Sequence, residues 1–245
     1  MITGATGRVG PFARWHGYRD RVGTYAAVVL AGGAARRMGG VDKPALRVGG
    51  RPMRDRVLAA VTDATPRVLV GVADSVPAGV RVVREDPPGG GPVAAAAAGL
   101  ALLETDIVLV ALLAADLPLL TRAAIGDLLA HLAEESPRHP ASARPDSAPA
   151  VGSGLVGSGP RPDGACFVDG DGRRQSLCGV WRVAALRAAL DRLTVERGGT
   201  LSGAPVRALL AGLVVREVPW SGEGPPPWFD CDTDEDVRRA EEWAR

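Results

Sequence analysis

The chain has 245 residues, of which 46% are hydrophobic and 23% charged, and its 29 Lys and Arg nearly balance its 28 Asp and Glu. Such a chain is globular rather than disordered, with length for one large α/β domain or two small ones. A net charge of +1 excludes a nucleic-acid binder that relies on bulk charge, so phosphate must be held at a local site. Cys166, Cys178 and Cys231 are odd in number and lack CxxC spacing, which argues against a disulfide framework or a zinc site. His16, His131 and His139 form no HExxH. Chemistry centred on His or Cys is therefore not expected, and carboxylates, basic residues and glycine loops remain. The apolar run Ile107–Ala115 is too short for a bilayer, and the N-terminal arginines have no apolar stretch between them, so neither a membrane span nor a secretory leader is expected. The expected location is the cytoplasm.

Residues 1–24 hold scattered Gly and Arg without a hydrophobic period and read as a poorly ordered extension. Ala26–Leu30 reads as a buried strand, followed by a glycine loop over Ala31–Gly40. Arg54–Thr62 has Val57, Leu58 and Val61 on one helical face. Arg67–Val72 and Val80–Val83 read as strands, Val93–Leu103 as an alanine-rich helix, and Asp106–Leu112 as the most apolar and most central strand. Thr121 can cap a helix with Ile125, Leu128, Leu129 and Leu132 at helical spacing. Strand, loop and helix thus alternate, which predicts parallel strands joined by crossover helices and ligands beyond their carboxyl ends.

Ser136–Pro162, rich in Pro, Ser, Ala and Gly, reads as a flexible insertion within one domain spanning 25–245. Ala165–Val168 and Ser176–Trp181 flank Asp169-Gly170-Asp171-Gly172 and read as a β-hairpin. Val183–Leu193 is a predicted helix with Val183, Leu186 and Leu190 inward; a short helix over Pro205–Leu210 and a strand over Leu213–Val218 follow. The chain closes with an acidic loop, Asp230–Asp236, and a helix carrying Val237, Ala240 and Trp243.

The loop Leu30-Ala31-Gly32-Gly33-Ala34-Ala35-Arg36-Arg37-Met38-Gly39-Gly40-Val41-Asp42-Lys43-Pro44 follows the first strand. Glycines there let backbone N–H groups converge on phosphate oxygens. Arg37 adds a planar fork and Lys43 a compact charge. It is not a Walker A loop, because Lys43 lies between Asp42 and Pro44. An Asp at the end of the most apolar strand, Asp116, stands at the sheet's carboxyl edge, where it can hold Mg²⁺ against phosphate oxygens.

The string LAGG…RMGG-VDKP resembles the signature of the molybdenum cofactor guanylyltransferase family and its nucleotidyltransferase relatives. The resemblance implies a Rossmann-like α/β fold, a three-layer and mostly parallel sheet of the nucleotide-diphospho-sugar transferase type. It implies Mg²⁺-dependent transfer of a nucleoside monophosphate from a triphosphate, GTP as the first choice, to a phosphorylated pterin-type acceptor. Leu30, Ala31, Gly32, Gly33, Arg37 and Lys43 would then bind the nucleotide. The stretch Glu85-Asp86-Pro87-Pro88-Gly89-Gly90-Gly91-Pro92 resembles the family's acid-then-Gly-Pro element, with Asp86 matched to the nucleoside-contacting acid, Glu85 as its alternative, and Gly91 and Pro92 as the turn. Asp116 matches the metal-binding Asp of a D-x-P motif.

Phe229-Asp230-Cys231-Asp232-Thr233 resembles a late element in which many relatives carry Asn where Asp230 and Asp232 stand. Carboxylates one residue apart on an extended segment point to opposite sides, and Asp232 is assigned to the metal beside Asp116. Thr233 and Asp236 resemble a capping box. Arg173, Arg174 and Gln175 could grip an anionic acceptor or form a solvated hairpin tip. Catalysis is assigned to Arg37, Lys43 and Asp116, with a monomer as the working expectation and no nucleic-acid or membrane partner. Two rivals differ in kind. Gly4-Ala5-Thr6-Gly7-Arg8-Val9-Gly10 spells a dinucleotide-binding pattern, but only Met1-Ile2-Thr3 precedes it as a strand. A non-catalytic nucleotide-binding module remains open, because a fold alone does not establish activity.

Overall fold

The computed structural model describes residues 25–32, 43–133 and 160–245. The expected extension over 1–24, most of the expected insertion, and the loop segment carrying Gly33 and Arg37 lie outside the described residues. Nine strands are assigned among the described residues: β1 (Ala26–Leu30), β2 (Arg47–Val48), β3 (Arg51–Pro52), β4 (Arg67–Val70), β5 (Val80–Val83), β6 (Leu109–Ala114), β7 (Gly164–Val168), β8 (Arg174–Arg182) and β9 (Val215–Pro219). The α-helices are α1 (Met53–Ala60), α2 (Pro92–Ala101), α3 (Arg122–Ala133), α4 (Val183–Glu196), α5 (Val206–Leu209) and α6 (Asp234–Trp243).

Seven strands form one sheet in the order β5-β4-β1-β6-β8-β7-β9. β1 runs parallel to β4, with Val28 beside Val68, and parallel to β6, with Val28 beside Leu112. β8 is antiparallel to both β6 and β7, and β7 is parallel to β9. Every strand of this sheet except β8 therefore shares one direction. The carboxyl ends at Leu30, Val83 and Ala114 open onto a single edge.

Alternate residues of β1 belong to different cores. Ala27 and Val29 pack with Val57 and Leu58 of α1 and with Ile125, Leu128 and Leu129 of α3. Ala26, Val28 and Leu30 pack with Val93 and Leu100 of α2 and with Leu186 and Leu190 of α4. The sheet is thus the middle of three layers. Burial on both faces explains why β1 and β6 read as continuous apolar runs rather than alternating ones. A third, smaller cluster joins Val48, Met53, Leu119, Cys231 and Ala240, and seats α6 beside the loop that follows β6.

The strand expected over Asp106–Leu112 begins at Leu109 and runs to Ala114, because a turn with Ile107 N–H donating to the Glu104 carbonyl precedes it. The ninth strand likewise starts at Val215, since Leu213 N–H still closes a turn on Leu210. The hairpin β2–β3 was not expected from the sequence. Its turn is Gly49-Gly50, with φ of 57° and 72°, the left-handed pair that a two-residue hairpin turn requires.

Thr233 caps α6 by accepting from Asp236 N–H at 3.1 Å, while Thr233 N–H donates to the Asp236 carboxylate at 2.8 Å. The Thr233 hydroxyl, foremost, holds the Asp236 carboxyl below its ordinary range. A depressed carboxyl stabilises the fold above its unfolded value of 3.8, and that contribution is lost as pH falls. Thr233→Ala should therefore lower unfolding free energy by about 1 kcal/mol at neutral pH. In urea titrations the difference from the parent should shrink toward pH 3.

Candidate active site

Lys43 opens a short 3₁₀ turn, Lys43–Ala45, whose Lys43 carbonyl accepts from Leu46 N–H. Its ammonium lies 2.6 Å from Asp116 Oδ2 and 2.6 Å from Asp232 Oδ1. The two acids come from distant parts of the chain: Asp116 from the loop after the central strand β6, Asp232 from the residue before the α6 cap. A backbone bond joins their loops, Cys231 N–H to the Asp116 carbonyl at 3.3 Å. Ring contacts anchor the second loop on either side, Trp228 against Phe167 at 5.4 Å and Phe229 against Trp243 at 5.0 Å.

The Lys43 side chain is 14% exposed, that of Asp116 24% and that of Asp232 73%. Burial pulls the Lys43 pKa down, but hydrogen bonds and charge from Asp116 and Asp232 outweigh it, and the net shift is upward from 10.5. Lys43 is thus a fixed cation across the neutral range. Asp232 is the solvent-facing arm of the pair. Asp230 stands on the same loop, and its carboxyl is raised above 3.8 by desolvation first, then by repulsion from Asp232 and Asp116.

The glycine loop leaves β1 at this same edge. Ala31 N–H donates to the Val70 carbonyl of β4, and Ala115 N–H donates to the Leu30 carbonyl, so the exit is wedged between the ends of β4 and β6. Gly71 closes the wedge from the β4 side, since a Cβ there would fall 2.9 Å from the Ala31 carbonyl carbon. Ala31 and Gly32 are half-buried, and Leu30 is buried. Gly33 and Arg37 lie outside the described residues.

The two acids after β5 occupy different environments. Glu85 is 5% exposed, accepts from Gly89 N–H at 3.0 Å, and would stand 3.1 Å from a Cβ on Gly32. Asp86 is exposed. The acid turned toward the glycine loop is therefore Glu85, whereas the family match favoured Asp86. Neighbouring residues on an extended segment face opposite ways, and only one of the pair can meet the N–H groups of the following turn. The signal available in the sequence was the glycine four residues after Glu85. Gly91, at a φ of 89°, and Pro92 start α2, and Gly90 is held by Gly203 N–H donating to its carbonyl.

At the β7–β8 hairpin, Arg174 donates to Glu217 at 2.7 Å and Gln175 donates to Asp169 at 3.0 Å, while Arg173 is exposed. Gln175 thus holds the hairpin itself, and Arg174 ties it to β9. The three thiols are buried, and burial pushes Cys166 up to about 11 and Cys231 up to about 12, with Cys178 raised as well. At neutral pH these are packing groups, not nucleophiles. Trp181 and Met53 are fully buried and pack in the core.

The fold has counterparts among solved structures. The 2-C-methyl-D-erythritol 4-phosphate cytidylyltransferase of Thermus thermophilus superposes with a TM-score of 0.58 at 18% identity, over 90% of this chain and 98% of that one. Molybdopterin-guanine dinucleotide biosynthesis protein A of Archaeoglobus fulgidus gives 0.57 at 19% identity, over 89% and 97%. At these identities the likeness is one of fold. A molybdenum cofactor guanylyltransferase of Acidiphilium cryptum (strain JF-5) is 49% identical over 47 residues, 19% of this chain and 24% of that protein, so the match spans about a quarter of its length. The family profile described as MobA-like NTP transferase domain matches residues 27–213, which takes in β1, Lys43, Asp116 and the sheet as far as the residues before β9. The chain belongs to the MobA-like NTP transferase family.

Proposed function

We propose that the protein transfers a nucleoside monophosphate, GMP from GTP first, to the phosphate of a molybdopterin-type acceptor and releases pyrophosphate. The observation that carries this reading is the Lys43 ammonium held between Asp116 and Asp232, at the edge where the glycine loop leaves β1. The acceptor phosphate is already anionic at neutral pH, so no general base is required. The chain's task is to bring two anions together and to stabilise charge on the leaving pyrophosphate. In this reading, backbone N–H groups of Gly32 and Gly33 hold phosphate oxygens, with Ala31 N–H committed instead to the Val70 carbonyl, Lys43 and Arg37 face the β- and γ-phosphates, and Asp86 with the Gly91-Pro92 turn receives the nucleoside. Glu85 shapes the floor by bracing the turn at Gly89.

The residues fit a divalent ion. Asp116 and Asp232 offer hard oxygen donors within reach of one cation, now the Lys43 ammonium. Among the described residues no group of three or more His, Cys, Asp or Glu forms a ready-made metal cage. Mg²⁺ is ordinarily held by one or two carboxylates together with phosphate oxygens and water. Bound between Asp116 and Asp232, Mg²⁺ would neutralise the polyphosphate and polarise its oxygens. We further propose that residues 25–245 act as one unit interrupted by the 136–162 stretch, as a cytoplasmic monomer. No helix among the described residues is long and apolar enough to cross a membrane.

Cytidylyl transfer to another phosphorylated small molecule is a second reading. It is favoured by Asp230 and Asp232 at positions where many relatives carry Asn, since added carboxylates suit a different acceptor face.

With Mg²⁺ and a molybdopterin-type acceptor, pyrophosphate release should be fastest with GTP among GTP, CTP, ATP and UTP; a preference for CTP would select the second reading. Asp116→Ala and Lys43→Ala should each slow release by roughly a hundred- to a thousandfold while circular dichroism stays unchanged. Full release from either variant would sink the assignment. Lys43→Met should also change the pH profile of stability. Without the ammonium, whose charge holds the Asp230 carboxyl down, that carboxyl rises further above 3.8, so stability is lost as pH rises through the carboxylate range. Thermal melts from pH 4 to 7.5 should show that loss, and added Mg²⁺ should reverse part of it.

A further inference from the structure

A second polar site lies away from the Lys43 cluster. On the face of the sheet covered by α1 and α3, Arg51, Arg56, Pro118, Leu120, Thr121 and Arg122 line an open cleft of about 220 Å³. Three of its lining side chains are guanidinium groups and none is acidic. Arg51, at the start of β3, is exposed, and its backbone pairs with Val48 in the β2–β3 ladder. Arg122 is exposed, and its guanidinium lies 3.6 Å from Asp63, whose carboxylate also accepts from the Tyr25 hydroxyl. Arg56 donates to the Pro118 carbonyl at 2.7 Å and to the Val48 carbonyl at 3.2 Å, so carbonyl oxygens rather than carboxylates partner it. The positive end of the α3 dipole faces the same cleft, where Thr121 accepts from Ala124 N–H.

Like charges converging on one concavity raise its potential and draw in a counter-ion. Guanidinium groups match phosphate oxygens in pairs. The volume is below the roughly 300–1,000 Å³ of sites for drug-sized ligands, too small for a nucleoside triphosphate but ample for a phosphate group or two. From this juxtaposition we propose that the cleft between α1 and α3 is a second anion site that takes a small inorganic phosphate, either orthophosphate or pyrophosphate, on Arg51, Arg56 and Arg122. This site goes beyond the proposed transfer reaction and does not depend on it. It is nonetheless connected to the Asp116 loop, because Arg56 holds that loop through the Pro118 carbonyl two residues beyond Asp116.

Isothermal titration calorimetry tests the assignment on the full chain, at fixed ionic strength and without divalent ions. Orthophosphate and pyrophosphate are titrated separately, which distinguishes the two sources of the same chemistry. Lys43→Ala serves as background, so that binding at the candidate active site is removed. At least one of the two anions should still bind this variant. Adding Arg51→Glu should weaken that binding at least about tenfold, the scale of a lost charge-assisted contact. The same reversal at Arg207, exposed on α5 and on the opposite face of the sheet, should leave it unchanged. Arg122→Ala provides a second cleft variant, and circular dichroism checks the fold of each. Absence of binding in Lys43→Ala, insensitivity to both cleft variants, or equal weakening by Arg207→Glu would each overturn the proposal.

Discussion

One ammonium holds two carboxylates that would otherwise repel one another. Lys43 comes from the turn that ends the glycine loop, Asp116 from the loop after the central strand, and Asp232 from the segment that leads into the last helix. Removing the cation leaves Asp116, Asp230 and Asp232 crowded at one sheet edge without the Lys43 ammonium to offset them. The Asp230 carboxyl is already raised, by desolvation first and then by this crowding. The edge is therefore arranged to require a cation, and it is half-shielded from water that would otherwise screen the charges. A site with that requirement is suited to exchange one cation for another, and to accept a polyphosphate that brings a divalent ion with it.

The packing beneath explains why the cluster holds its place. β6 lies at the middle of the seven-stranded order, buried between two helical layers, so the exit of its chain toward Asp116 is among the most constrained points of the fold. Asp232 has no strand to hold it. It is positioned instead by the capping box on α6, by the bond from Cys231 N–H to the Asp116 carbonyl, and by the aromatic contacts of Trp228 and Phe229. Rigid on one side and tethered on the other, the pair differs in exposure in the same sense, with Asp232 the more open to water.

Much of this architecture was legible in the residues. Doubly buried strands announce themselves as short apolar runs, and β1 and β6 did so. The helical faces of α1, α3 and α4 were readable because each repeats its apolar residues at 3.6-residue spacing. Strand ends were less legible, because Ile107 and Leu213 are as apolar as the strands they precede yet belong to turns. The hairpin β2–β3 escaped because two-residue strands carry no period, and Pro52 argues against a strand; only Gly49-Gly50 marked it. In the site, Asp116 followed from its place after the most apolar strand. Asp232 came from the family resemblance, since an Asp-x-Asp segment alone does not say which acid turns inward. The pairing of Lys43 with Asp232 spans 189 positions and has no local signal at all. The choice between Glu85 and Asp86 turned on which side chain meets a glycine N–H, a matter of register that adjacent acids do not reveal.

Among the described residues, the short segment from Asp116 to Arg122 separates a carboxylate cluster from a guanidinium cluster. At its start a carboxylate joins a cluster whose acids outnumber its lysine. At its end Arg122, itself paired with Asp63, joins Arg51 and Arg56 around a cleft with no acidic lining side chain. Among the described groups, the carboxylates of the first surface disfavour a bare anion and the guanidinium groups of the second favour one. A triphosphate carrying its divalent ion meets no such barrier, because the ion it brings is what the carboxylates lack. Charge placement around one loop can thus sort metal-laden polyphosphate from bare phosphate without any contact to a base. The Arg56 bond to the Pro118 carbonyl makes the two surfaces share a backbone. Whatever binds at the guanidinium end therefore acts on the chain that also positions Asp116.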